Sequence, residues 1–124
     1  MLLCAGSVIG EGYRTTLGTV PDDFPVVVVT GTPFEMGLAL GRLKQKEIQG
    51  FAPQFLAMAQ QAEGNKLSDK NLDAAWKAME PFMGKEFIEE MQGLAQGAGL
   101  PLDLLKRAHM IPAVSEYSCS GVAI

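Results

Sequence analysis

Residues suited to metal or redox chemistry are scarce in this chain. Its 124 residues include one histidine, His109, and two cysteines, Cys4 and Cys119. No CxxC or HxxxH spacing occurs, so no metal site and no cofactor is expected. Two cysteines also make no disulfide framework, although sequence leaves open whether this pair comes within bonding distance. Basic residues are outnumbered, 10 Lys and Arg against 14 Asp and Glu, for a net charge of -4. Neutralising phosphates needs a basic patch and none is present, which argues against a nucleic-acid partner. Long apolar runs are missing too. Nothing approaches the roughly 20 residues that cross a bilayer, so no membrane span is expected. Internal repeats and low-complexity tracts are likewise absent.

What is present reads as one globular domain. Hydrophobic residues make up 48% and charged residues 19% of the chain, as expected of a globular chain rather than a disordered one. The length suits one domain and not two. Met1-Leu2-Leu3-Cys4-Ala5-Gly6 resembles the tail of a signal peptide but lacks a basic segment and a full apolar stretch. Export (periplasmic or secreted) and a cytoplasmic location therefore both stay open.

In chain order, residues 10–20 mix β-branched and aromatic side chains in the manner of a strand. Pro21-Asp22-Asp23 then reads as a turn. Val26-Val27-Val28-Val29 does not alternate, which predicts a strand covered on both faces. Gly31-Thr32-Pro33-Phe34-Glu35 predicts a capped helix start: Thr32 as N-cap, Pro33 at the first position, Glu35 closing a capping box. Phe34, Leu38, Gly41, Ile48, Ala52 and Phe55 form its apolar stripe, with a kink or break predicted near Gly50 because of Pro53. Ser68 caps a second helix that turns Leu72, Ala75, Trp76 and Met79 inward and stops near Pro81. A third helix spans residues 85–98, with Phe87, Met91, Leu94 and Ala98 inward and Gly99 as its C-terminal cap. A fourth begins at Leu100-Pro101 and ends at Pro112. Gly37/Gly41 and Gly93/Gly97 each lie one turn apart, so two helices are expected to cross closely there. No GKS/T follows Gly31, which disfavours a phosphate loop.

Other groups have bland readings. Glu86, Glu89 and Glu90 sit where a helix dipole favours negative charge. His109 reads as a surface or hydrogen-bonded helix residue rather than a catalytic base, and Met79, Met83 and Met91 as core filler. Cys119 stands between Ser118 and Ser120 and opens the apolar run Gly121-Val122-Ala123-Ile124. One reading is a small buried residue. The other is a nucleophile whose base is its own α-amine, freed by cleavage of the bond before it.

Tyr13-Arg14, the GTPxExG block from Gly31 to Gly37 with Gly41, the GxAxGAG block from Gly93 to Gly99, and Ser118-Cys119-Ser120 occur in the order found in peptidase family C45. The chain resembles these acyl-coenzyme A:6-aminopenicillanic acid acyltransferase-like N-terminal nucleophile (Ntn) hydrolases over nearly its whole length. The resemblance implies an α+β fold: the helix-rich N-terminal portion of an αββα architecture, with strands that join a larger sheet. Residues 1–118 would be the helical, propeptide-like part and residues 119–124 the start of the nucleophile-bearing strand. It implies self-cleavage between Ser118 and Cys119, with the Cys119 thiol attacking the Ser118 carbonyl, and Cys119 as catalytic nucleophile thereafter. The substrate would be a small-molecule amide or acyl compound, and the partner the chain's own C-terminal β-chain part. Ser118 departs from the glycine of penicillin acyltransferase, and the family's oxyanion donors would lie beyond Ile124. These 124 residues alone are therefore expected to lack catalytic competence. The rival reading is a non-catalytic helical packing or interaction domain with a structural Cys119.

Overall fold

A computed structural model describes residues 11–17 and 24–115. The predicted turn at residues 21–23, the Ser118–Cys119 junction and the strand start at residues 119–124 lie outside them. Within them the fold is helix-rich α+β: strands β1 (Glu11–Leu17) and β2 (Phe24–Thr30), then helices α1 (Pro33–Leu43), α2 (Gln45–Glu63), α3 (Asp69–Met79), α4 (Lys85–Ala98) and α5 (Leu102–Val114). The strands pair antiparallel with Tyr13 opposite Val28 and Glu11 opposite Thr30. All four valines of β2 are half-buried. The two-sided cover expected of them is thus incomplete among the described residues, where β2 pairs with β1 alone.

Local chemistry sets the helix starts. Thr32 N–H donates to Glu35 Oε2 at 2.8 Å while Glu35 N–H donates to Thr32 Oγ1 at 3.4 Å, completing the capping box. Ser68 Oγ accepts from Asn71 N–H at 3.4 Å ahead of α3. Gly99 takes φ 67° and ψ 34°, the left-handed conformation that only glycine adopts cheaply. There its N–H donates to the Gln96 carbonyl at 3.2 Å and Leu100 N–H to the Ala95 carbonyl at 3.0 Å, closing α4.

Helix α1 is the middle layer. One side faces the β1–β2 hairpin and the other lies directly on α4. The two glycine pairs make that second contact. A Cβ on Gly37 would strike the Glu90 carbonyl, one on Gly93 the Phe34 carbonyl, and one on Gly97 the Leu38 carbonyl. One on Gly41 would sit 2.6 Å from the Leu94 carbonyl oxygen. Each glycine costs about 1 kcal/mol of helix propensity relative to alanine, and backbone-to-backbone approach is what the missing side chains permit.

The apolar core lies among α2, α3, α4 and α5. Leu67 and Leu72 are fully enclosed, joined by Trp76, Met91, Met110 and Ile111. Trp76 Nε1–H donates to Glu80 Oε2 at 2.7 Å, so the indole is buried with its polar atom satisfied. Arg107 forks onto Asp73 at 2.7 and 2.8 Å and reaches Asp69 at 2.8 Å, tying α5 to α3.

Several expectations change. The predicted break near Gly50 occurs at Lys44 instead, whose φ of -113° and ψ of 21° separate α1 from α2. Pro53 is accommodated inside α2, because Ala52 and Leu56 are buried on either side of it. Their burial offsets the one hydrogen bond that proline removes. By the same logic Pro112 does not end α5, which runs on to Val114 with Met110 and Ile111 buried. Four expected helices are therefore five. Met79 is 44% exposed rather than in the core, since α3 turns its Leu72–Trp76 face inward and Met79 falls at the helix end.

Candidate functional site

The described chain leaves the domain at the C-terminal end of α5. Ser115 follows in an extended conformation, φ -74° and ψ 156°, its N–H held by the Ile111 carbonyl at 2.8 Å. Cys119 comes four residues later. Ser118 and Cys119 themselves lie outside the described residues, so their surroundings are fixed only up to this exit point. The exit is firmly anchored. Leu105, Met110 and Ile111 are buried, and Arg107 clamps the middle of the helix.

Beside the exit runs a groove of about 720 Å³ between the C-terminal half of α2 and the last turn of α5. Phe55, Met58, Ala59 and Ala62 form one wall, Ile111 and Pro112 the other, and the enclosed Leu67 the floor. Two polar groups break this surface. Glu63 stands at its edge, its carboxylate 3.9 Å from Lys66 Nζ. The Ser115 hydroxyl is shut off from solvent and has no hydrogen-bond partner among the described residues. Leaving such a group unpaired costs about 1–3 kcal/mol. Among the described residues the groove is therefore a mostly apolar surface with a carboxylate at its edge.

Sequence reading assigned Phe55 to the core stripe and passed over Met58 and Ala62. The structure shows Phe51 66%, Phe55 37% and Met58 68% exposed. The signal was available, since Phe51, Phe55, Met58 and Ala62 recur at helical spacing of four, three and four beside the inward line of buried Ala52 and Leu56 and half-buried Ala59. One helix carrying two such lines has more apolar surface than one core can take. The Phe51 and Phe55 rings stack at 5.3 Å between centroids.

His109 lies elsewhere, exposed, with its ring 5.2 Å from that of Phe87. Together with Glu90 it edges a smaller hollow of about 210 Å³ floored by Met91, Leu94 and Leu105. Among the described residues no group of three or more His, Cys, Asp or Glu could hold a metal ion, and no helix is long and apolar enough to cross a membrane.

Two Dictyostelium discoideum proteins resemble the chain. Protein dcd1A is 29% identical over 88% of it, and Protein dcd1B 26% identical over 98%. The chain spans only 30% and 28% of their lengths. No family model and no solved structure matches it.

Proposed function

We propose that this chain is the N-terminal part of an autoproteolytic cysteine amidohydrolase or acyltransferase of the Ntn type, acting on amide bonds through an acyl-enzyme. The observation that carries the reading is the Ser118-Cys119-Ser120 junction, set four residues after an anchored helix end. Supporting it, the GTPxExG and GxAxGAG blocks, far apart in sequence, meet as one backbone contact between α1 and α4. The motifs behind the family resemblance thus act together as a scaffold ahead of the cysteine.

The chemistry begins with attack of the Cys119 thiolate on the Ser118 carbonyl carbon. The Ser118–Cys119 C–N bond breaks as the acyl group moves to sulfur, and the proton goes to the departing nitrogen. Water then hydrolyses the thioester, leaving a Ser118 carboxylate and a Cys119 with both free thiol and free α-amine. That amine titrates near pH 7.7–8.0 in model peptides, roughly where a base for its own thiol is needed. The mature thiol attacks a substrate amide, expels the amine, and passes the acyl group to water or to an amine acceptor. Oxyanion stabilisation would come from the chain's own C-terminal β-chain part.

Intact mass spectrometry of the full-length protein tests this directly. A cut at Ser118–Cys119 that Cys119→Ala abolishes is the expected result. An uncut protein that still turns over an amide would refute the α-amine mechanism. A second reading is favoured by the exposed Phe51, Phe55 and Met58: a non-catalytic interaction domain with a structural Cys119. An uncut, catalytically silent full-length protein whose Cys119 resists acyl-like electrophiles would establish it.

A further inference from the structure

We draw no further inference here: the strongest candidate, the exposed apolar line of Phe51, Phe55 and Met58 on α2 with the groove it borders against the last turn of α5, carries none, because nothing among the described residues shows what covers it.

Discussion

Helices α1 and α4 touch backbone to backbone, whereas α2 and α5 diverge around a groove, although all four are ordinary amphipathic helices. The difference lies in what stands at the facing positions. Gly37, Gly41, Gly93 and Gly97 leave nothing between the first pair. Phe55, Met58 and Pro112 line a gap between the second. Where every side chain has been removed, two backbones can fit in only one register. Where large apolar side chains face a helix end carrying a proline, the contact stays open among the described residues. The first region serves the fold, and the second leaves apolar surface uncovered among the described residues.

The comparison is broken most severely at the crossing. Gly93→Leu places a side chain where the Phe34 carbonyl lies, and should cost roughly 3 kcal/mol or more, read as a lower midpoint in urea unfolding. A stable, soluble variant would show that the crossing can slide. The α3–α5 clamp ranks next. Arg107→Met should cost about 1 kcal/mol, a modest figure because the Asp69 and Asp73 side chains are 55% and 50% exposed.

This clamp also has a pH signature. Hydrogen bonds from Arg107 hold the Asp73 carboxyl below its ordinary value. The folded state therefore binds fewer protons in acid than the unfolded state. The stabilisation is complete above the ordinary carboxylate range and is lost as pH falls through the lowered folded value. Acid unfolding of Arg107→Met should lack that component. A smaller effect, of opposite sign to the first, is expected at Gly50. This glycine lies in the exposed face of α2 with nothing within 4 Å of a Cβ. Gly50→Ala should therefore stabilise by roughly 0.5–1 kcal/mol. The smallest change belongs to the groove: Ala62→Trp should alter stability by less than about 0.5 kcal/mol. A larger loss would mean that the gap is part of the packed core.

Much of the scaffold was legible before its structure. The capping box at Thr32 and Glu35, the Ser68 cap and the Gly99 terminus are contacts within a few residues, so their pattern is written in neighbouring letters. The glycine pairs were legible as a crossing because two glycines one turn apart in a helix interior need a compensating contact. The groove was not, because Phe55 looks the same in a stripe whether or not another element covers it. Cys119 and Ser118 are the reverse case: they stand out by sequence, and the described structure leads up to them without containing them.

By itself, then, the sequence determined where α1 and α3 begin and where α4 stops. These follow from hydrogen bonds and steric limits within one or two turns. Only the tertiary structure decided that the first helical stretch breaks at Lys44 and that Pro53 and Pro112 stay inside helices. It likewise decided that Met79, Phe55 and Met58 face outward. Each of those outcomes weighs a local cost of one hydrogen bond against apolar area buried by residues distant in the chain. That second quantity does not exist until the elements are packed.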